Sequence, residues 1–267
     1  MNFTTLKYDK DGQVARVCFN RPEIHNAFNA TMITEMSRLF SEIEKDSEVR
    51  VIVLTGEGKS FCAGADLNWM REVVKQSFDE NLAESSALAD LFYQIYACPC
   101  PVVGRINGAA IGGGTGFVAV CDIALAARSA RFSFSEVKIG VVPACIGPYV
   151  IKKMGEGKAR ELFITGERMP AERAFQVGLV NKVVEDDRLD AEVDRLVQDL
   201  LTSGPEAVAM AKKLIGEAPG MSPEQFKPYT AQMIARLRVS DEGQEGMTAF
   251  LEKRKPAWVA RRERREE

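Results

Sequence analysis

The sequence predicts an α/β fold that is followed by a helical region. Over the first two thirds of the chain, short runs of β-branched residues alternate with segments in which apolar residues recur at helical spacing. From residue 189 onward only the helical spacing remains. Strands that alternate with helices pair in parallel through crossover connections, so we expect a mainly parallel sheet with helices packed on it.

Individual runs locate the elements along the chain. Apolar runs bounded by polar residues or glycine predict strands at residues 14–19, 50–54, 101–106 and 122–127. Two segments with one apolar face, residues 31–45 and 81–96, predict helices. Prolines at positions 205, 219 and 223 divide the last part of the chain into shorter helices. We therefore expect an α/β core over residues 1–200 and a helical region over residues 201–267.

Composition and charge exclude several classes of protein. The 267 residues carry 35 basic and 38 acidic side chains, a net charge of −3, which argues against a nucleic-acid-binding protein. The single histidine, His25, leaves no partner for a histidine-rich metal site, and the six cysteines contain no paired CxxC motif for zinc. The chain has neither a secretory signal nor a long apolar run. We expect a reduced, cytoplasmic protein that binds no metal, nucleic acid or membrane.

Two loops rich in small residues carry the strongest chemical signal. In residues 106–116, three consecutive glycines stand where a strand gives way to a short apolar helix, and residues 60–67 form a similar loop after the strand ending at residue 54. Small residues let backbone N–H groups approach a ligand, and a helix N-terminus adds positive charge. Two such loops could supply two N–H donors to one carbonyl oxygen, which is an oxyanion hole. Tight helix–sheet packing is the alternative reason for these glycines.

Short motifs, each weak alone, occur in a fixed order along the chain. They are Asn20-Arg21-Pro22 with Asn26-Ala27-Phe28; residues 61–67; Asn107-Gly108 through Gly114; Cys121-Asp122-Ile123; Ala130-Arg131-Phe132 to Glu136 and Gly140; residues 178–181; and Phe250 to Pro256. Together they resemble the enoyl-CoA hydratase/isomerase (crotonase) superfamily over essentially the whole chain. The resemblance implies a crotonase-like spiral of ββα units with a C-terminal helical trimerisation region. It also implies a homotrimer, or a hexamer built as a dimer of trimers.

The resemblance further implies an acyl-CoA thioester substrate, with coenzyme A arriving as part of the substrate and no separate cofactor. The family's oxyanion donors fall on the backbone N–H groups of Ala65 and Gly113, which would stabilise an enolate of the thioester. Ala63, Asp66, Leu67 and Asn68 match the stretch beside the adenosine part of coenzyme A. The remaining matched binding positions are Glu23 and Ala27 along the pantetheine and phosphates, Gly112 in the glycine loop, and Phe250 and Lys253, which can reach coenzyme A on a neighbouring subunit.

The chain departs from the family pattern at one of two catalytic carboxylates. Typical hydratases carry a glutamate two residues after the triple glycine, and here that position is Gly116. The second glutamate is retained as Glu136. With one carboxylate, Glu136 can serve as both base and acid in hydration, or it can move a proton between two carbons in double-bond isomerisation. A catalytically impaired member that only binds acyl-CoA is a third possibility.

The finer pattern favours hydration of a branched substrate. Residues 64–70, residues 112–116, and residues 135–140 with Pro143-Ala144 resemble bacterial methylglutaconyl-CoA hydratases of leucine degradation and their isoprenoid-pathway relatives. Those substrates carry a second carboxylate, with which Arg71 and Lys138 could pair. We expect an enoyl-CoA hydratase with 3-methylglutaconyl-CoA as the leading substrate, and an enoyl-CoA isomerase as the alternative.

Overall fold

The computed structural model describes residues 2–259. Within that range the strands are β1 (Leu6–Asp11), β2 (Val14–Phe19), β3 (Val51–Gly56), β4 (Ser60–Cys62), β5 (Val102–Ile106), β6 (Ala109–Ile111), β7 (Ile123–Ala127), β8 (Arg131–Ser133), β9 (Arg168–Pro170) and β10 (Lys182–Val184). The α-helices in the same range are α1 (Ala30–Lys45), α2 (Leu67–Val73), α3 (Phe78–Ala97), α4 (Gly113–Val120), α5 (Gly147–Thr165), α6 (Ala171–Gln176), α7 (Leu189–Leu201), α8 (Pro205–Glu217), α9 (Pro223–Val239) and α10 (Asp241–Leu251).

The strands form two sheets. The larger sheet has the order β1-β2-β3-β5-β7-β10, and the smaller has the order β4-β6-β8-β9. Neighbouring strands from β2 to β10 in the larger sheet pair in parallel, as the alternating pattern predicts, whereas β1 and β2 form an antiparallel hairpin. The sequence prediction missed this hairpin, although its two-residue turn, Gly12-Gln13, has glycine at the first central position, which is a recognisable hairpin signal. It also missed the smaller sheet, because three-residue strands are too short to show a period.

The expected long elements are confirmed with small shifts at their ends. The four predicted strands correspond to β2, β3, β5 and β7, and the two predicted helices correspond to α1 and α3. Helix α3 begins earlier than predicted because Ser77 and Glu80 form a capping box that satisfies the first backbone N–H groups. The loss of strand pattern after β10 is also confirmed, since the chain is helical from α7 to α10.

The central strands are buried on both faces, which explains their uninterrupted apolar sequence. Ile52 and Leu54 of β3 face the main core with α1, α3 and α4, whereas Val51 and Val53 face the opposite side. There they pack against an apolar stripe of α7, formed by Leu189, Val193, Val197 and Leu201. Since this stripe extends to Leu201, the last residue of α7, the whole helix packs on the larger sheet.

The order of the elements repeats along the chain. In each repeat a strand of the larger sheet is followed by a strand of the smaller sheet and then by a helix or helical turn: β3-β4-α2, β5-β6-α4, and β7-β8 with the 3₁₀ turn Ser135–Ile139. The expected spiral of ββα units is therefore confirmed. Strands β4, β6 and β8 lie side by side in parallel, so the loops that follow them meet at one edge.

The boundary between a core of residues 1–200 and a helical trimerisation region of residues 201–267 stays a prediction. Helices α8, α9 and α10 fill the described part of that region. Residues 260–267 and Met1 lie outside the described residues.

One buried side chain holds the loop between β2 and α1. The Asn26 side chain accepts a hydrogen bond from Arg21 N at 2.9 Å and donates to Glu57 O at 2.9 Å and Ser60 O at 2.8 Å. Asn26 is fully buried and has a left-handed backbone, with φ of 58°. This loop is therefore fixed to the turn between β3 and β4 by polar contacts.

We expect Asn26→Ala to lower the free energy of unfolding by about 2–4 kcal/mol, because it leaves buried backbone groups without partners. Urea unfolding monitored by circular dichroism measures the change. The control is His25→Ala, since His25 is exposed and has the same left-handed backbone, with φ of 55°. Equal losses for the two variants would show that backbone conformation, rather than the buried hydrogen bonds, sets the cost.

Candidate active site

The loop after β4 turns the Ala65 N–H group away from its bridge partner, Phe28. Phe28 N donates to Gly64 O at 2.8 Å, and Asp66 N donates to Phe28 O at 2.8 Å. These two bonds make a parallel bridge between Phe28 and Ala65. Both hydrogen bonds are made by the residues before and after Ala65, and not by Ala65 itself. Since successive N–H groups of an extended segment point in opposite directions, the N–H of the half-buried Ala65 points away from Phe28.

The loop after β6 presents the Gly113 N–H group. Gly113 is the first residue of α4, where backbone N–H groups have no partner within the helix. The preceding Gly112 takes φ of 55° and donates its N–H to Ser133 O at 2.8 Å. The fully buried Thr115 places its Oγ1 2.6 Å from Ala110 O and 3.0 Å from Ser133 O. These contacts hold the glycine loop against β8.

Phe28 connects the two loops. Its backbone bridges to Ala65, and its ring lies against Gly113, where a Cβ atom would come within 2.7 Å of Phe28 Cζ. The Phe28 ring also packs edge-on against Phe117 of α4 at 5.8 Å between centroids. Ala65 and Gly113 are thus both held beside Phe28. Two N–H groups that bind a single oxygen must be held close together in this way.

The carboxyl group of Glu136 lies beside this pair of loops. Glu136 stands in the 3₁₀ turn after β8, and a Cβ atom on Gly112 would lie 3.3 Å from Glu136 Oε1. Its Oε2 is buried, and it has no hydrogen-bond partner among the described residues. Burial raises the pKa of Glu136, and only its own backbone N–H opposes the shift. The group that can accept and return a proton therefore lies next to the predicted donor Gly113.

Apolar side chains fill the position of the missing first glutamate. Gly116 is buried inside α4, and a Cβ atom there would overlap Ile146 Cγ2 and lie 3.0 Å from Phe92 Cζ. Ile146 is 2% exposed and Phe92 is fully buried. A glutamate has no room in this packing, so α4 contributes no second carboxylate. The sequence placed Phe92 on the apolar face of the predicted helix over residues 81–96 but did not single out Ile146, although a glycine inside an apolar helix does signal a close approach.

Most of the predicted coenzyme A contacts lie on two adjoining loops. Ala63 N donates to His25 O at 3.0 Å, which joins the Ala63 loop to the segment that contains Glu23. Glu23, Leu67 and Asn68 are exposed, Ala63 is half-buried, and Ala27 is buried. Asp66 is buried, and its side chain accepts hydrogen bonds from Asn68 N and from Arg21. The Asp66 carboxylate is thus already bonded to two groups of this protein.

The other predicted contacts lie elsewhere. Phe250 near the end of α10 and the following Lys253 are both exposed, with Phe250 83% exposed. Arg71 is exposed and donates to Asn68 Oδ1 at 2.7 Å. Lys138 is exposed too. Its side chain lies beside Gly166 at the end of α5, where a Cβ atom added to Gly166 would be 3.2 Å from Lys138 Cε. Arg71 is thus paired with Asn68, and Lys138 lies beside the end of α5.

No helix within residues 2–259 is long and apolar enough to cross a membrane. The same residues contain no group of three or more metal-ligating side chains.

Comparisons with known proteins bear on the family and the fold. A family model described as "Enoyl-CoA hydratase/isomerase" matches residues 9–261. The chain is 33% identical to the "Short-chain-enoyl-CoA hydratase" of Clostridium acetobutylicum, over 96% of this chain and 97% of that protein. It is 32% identical to the "Crotonyl-CoA hydratase" of Syntrophomonas wolfei, over 98% of this chain and 100% of that protein. A crystal structure of an enoyl-CoA hydratase from Shewanella pealeana superimposes with a TM-score of 0.93 at 38% identity, covering 96% of each chain.

We expect Glu136→Gln to raise the stability of the protein at neutral pH. Since burial raises the pKa of Glu136, the folded state binds the proton more tightly than the unfolded state. Stability therefore falls as pH rises from the ordinary glutamate pKa through the raised value, and the penalty is complete above it. Melting temperatures of the two proteins at about pH 4 and about pH 8 should differ more at the higher pH.

Glu35→Gln is a control of opposite sign for this experiment. Burial alone would raise the pKa of Glu35, but hydrogen bonds from the Thr4 and Thr5 backbone and hydroxyl groups outweigh it and lower the pKa. Removing that charge should therefore destabilise the protein at neutral pH. If Glu136→Gln were also destabilising at the higher pH, the carboxylate would have to be stabilised by contacts that the described structure lacks.

We expect Gly116→Ala to lower the free energy of unfolding by about 1–3 kcal/mol, because the added methyl group overpacks the contact with Ile146. Combining it with Ile146→Ala should cost less than the sum of the two single changes, which urea unfolding can measure. The control is Gly157→Ala in α5, where a Cβ atom meets nothing within 4 Å. Additive losses would contradict the packing described for Gly116.

Proposed function

Because the chain belongs to the enoyl-CoA hydratase/isomerase family, we propose that it adds water across the 2,3 double bond of an enoyl-CoA thioester. The observation that carries the proposal is the half-buried Glu136, whose carboxyl group lies beside the glycine loop with its Oε2 buried, close to the N–H at the start of α4. Ala65 and Gly113 are the proposed oxyanion donors. Coenzyme A enters as part of the substrate, and the reaction needs no other cofactor.

The proposed reaction balances with one carboxyl group. Glu136 in its carboxylate form takes a proton from water while the water oxygen bonds to C3. The electron pair of the double bond moves toward the thioester, and the resulting enolate oxygen accepts hydrogen bonds from Ala65 and Gly113. Such donors, fixed before the reaction, act most strongly where charge develops. Glu136 then returns the proton to C2, and the product is a 3-hydroxyacyl-CoA.

The raised pKa of Glu136 suits this double role. A group that must both accept and return a proton works best when its pKa is close to the working pH. Burial moves Glu136 in that direction, whereas a solvated glutamate would be a weaker acid-base catalyst at neutral pH. The apolar wall made by Ile146 and Phe92 leaves the water without a second carboxylate partner from α4.

That same wall favours one alternative, the isomerisation of a 3-enoyl-CoA to a 2-enoyl-CoA. Isomerisation needs one base that removes a proton from C2 and returns it to C4, with the same enolate between the two steps. An apolar site without a second carboxylate would protect the enolate from water. The similarity to proteins described as hydratases supports hydration as the main proposal.

We propose 3-methylglutaconyl-CoA as the substrate, on the similarity of residues 64–70, 112–116 and 135–140 to hydratases of leucine degradation. Arg71 and Lys138 are the proposed partners of the second carboxylate; Arg71 already donates a hydrogen bond to Asn68 Oδ1, which it would have to exchange for the substrate. The proposal also includes a homotrimer, or a dimer of trimers, acting in the cytoplasm. A subunit arrangement of that kind would let Phe250 and Lys253 reach coenzyme A bound to a neighbour.

Mass spectrometry of the products tests the proposed reaction. The purified protein is incubated separately with 3-methylglutaconyl-CoA, crotonyl-CoA and a 3-enoyl-CoA. We expect one water to be added to 3-methylglutaconyl-CoA, with much less addition to crotonyl-CoA. Glu136→Gln should slow the reaction by about a hundredfold or more, the usual scale for one acid-base group.

The other outcomes separate the alternatives. Conversion of the 3-enoyl to the 2-enoyl isomer without added water would make the protein an isomerase. Binding of all three thioesters without turnover would make it an acyl-CoA-binding member of the family. Full activity on the dicarboxylate after both Arg71→Ala and Lys138→Ala would exclude these side chains as its partners.

A further inference from the structure

We propose that Arg21 is a positioning residue for the oxyanion hole. Its guanidinium group holds the loop that carries Ala65 against the loop that carries Phe28. The inference rests on the proposed use of Ala65 and Gly113 as oxyanion donors. Arg21 itself would touch neither the substrate nor the reacting atoms, so its effect would pass through the donors.

The guanidinium group bonds to both loops at once. Arg21 Nη2 lies 2.6 Å from Asp66 Oδ2, and Arg21 Nη1 donates to Ala27 O at 2.6 Å. The two side chains are well shielded, with 17% of Arg21 and 9% of Asp66 exposed. Short charge-assisted bonds in a shielded place are stronger than the exposed ion pairs on the surface of this protein. Asp66 and Ala27 directly adjoin the two bridge residues, Ala65 and Phe28.

The Asp66 end of this contact is fixed from two directions. Asp66 Oδ1 accepts a hydrogen bond from Asn68 N at 2.7 Å and thereby caps α2, while Oδ2 pairs with Arg21. Burial alone would raise the pKa of Asp66, but the Asn68 N–H and the Arg21 charge outweigh it and lower the pKa. The carboxylate stays ionised and paired, and the peptide group between Ala65 and Asp66 is held with it.

The Ala27 end of the contact reaches the second donor. Ala27 precedes Phe28, whose backbone bridges to Ala65 and whose ring lies against Gly113. Arg21 is itself held by Asn26, which accepts from Arg21 N at 2.9 Å and donates its own N–H to Arg21 O at 2.8 Å. A shift of the Arg21 side chain would therefore change the distance between the Ala65 and Gly113 donors.

The consequence for catalysis follows from the geometry of the oxyanion hole. Two N–H groups stabilise the developing charge only if both point at the same oxygen. Displacing a catalytic group by about 1 Å can cost about a hundredfold in rate. Loss of Arg21 should therefore weaken enolate stabilisation more than it weakens binding of coenzyme A. The proposed coenzyme A contacts come from other residues, such as Ala63 and Asn68.

The chain offers a matched control for the loss of a shielded cation. Lys212 Nζ pairs with Asp122 Oδ2 at 2.7 Å and donates to Cys100 O at 2.9 Å, so it also bonds to one carboxylate and one backbone carbonyl. Its side chain is 16% exposed, close to the value for Arg21. Lys212 lies on α8 and takes no part in the two loops. Lys212→Met should therefore show what the loss of such a pair does to stability alone.

The experiment compares Arg21→Met, Arg21→Lys and Lys212→Met as full-length proteins. The first readout is kcat and KM on the best substrate of the wild-type protein. The second is the ultraviolet absorbance of bound acetoacetyl-CoA, which reports how much of this ligand is held as its enolate. That fraction depends on the oxyanion hole whether the protein proves to be a hydratase or an isomerase.

We expect Arg21→Met to lower kcat by about 10–100-fold while KM changes by less than about threefold, and to lower the enolate fraction. Arg21→Lys should recover part of both effects, because it keeps the charge but loses the planar fork. Lys212→Met should lower the melting temperature without changing the enolate fraction.

Unchanged kcat and enolate fraction in folded Arg21→Met would overturn the proposal. So would equal losses in Lys212→Met, since those would reflect stability only. If Arg21→Met does not fold, the same criteria apply to Arg21→Lys. A wild-type protein that holds no enolate would overturn the oxyanion hole itself, whereas enolate formation without added water or isomerisation would overturn only the proposed function.

Discussion

Two backbone hydrogen bonds between Phe28 and the residues on either side of Ala65 set the geometry on which the site depends. They turn the Ala65 N–H away from Phe28, and the Phe28 ring rests on Gly113. Phe28 therefore contacts both proposed oxyanion donors, which come from different turns of the spiral. The polar side chains of Arg21 and Asn26 hold this bridge in place from outside. The pair of donors is thus a product of loop packing rather than of either loop alone.

The spiral arrangement explains why the loops meet. Strands β4, β6 and β8 are short and parallel, so the chain leaves each of them at the same edge of the smaller sheet. The loops that follow carry Ala65, Gly113 and Glu136 in turn. Residues about 50 and about 20 positions apart in sequence are brought together by this repetition, because parallel strands present their carboxyl ends on one side.

The carboxyl group of Glu136 illustrates a conflict between stability and chemistry. It is buried, and its Oε2 finds no partner among the described residues, which is unfavourable for the folded state when the group is ionised. The same burial brings its pKa toward the range in which it can both accept and return a proton. Proteins commonly retain such a cost at the site where they work. At Gly116 of α4, Ile146 and Phe92 pack closely and form an apolar wall.

The sequence by itself determined the α/β class, the main parallel strands and the residues that belong to the loops. Uninterrupted apolar runs such as 50–54 can only be stable when covered on both faces, and small residues around Ala65 and Gly113 signal a close approach of the backbone. Only the tertiary structure decided that Ile146 occupies the space beside Gly116, that Asp66 pairs with Arg21, and that Arg71 donates a hydrogen bond to Asn68. The first two facts depend on where side chains from distant segments of the chain meet. Neither the spacing of apolar residues nor a short motif contains information on the distances between such side chains.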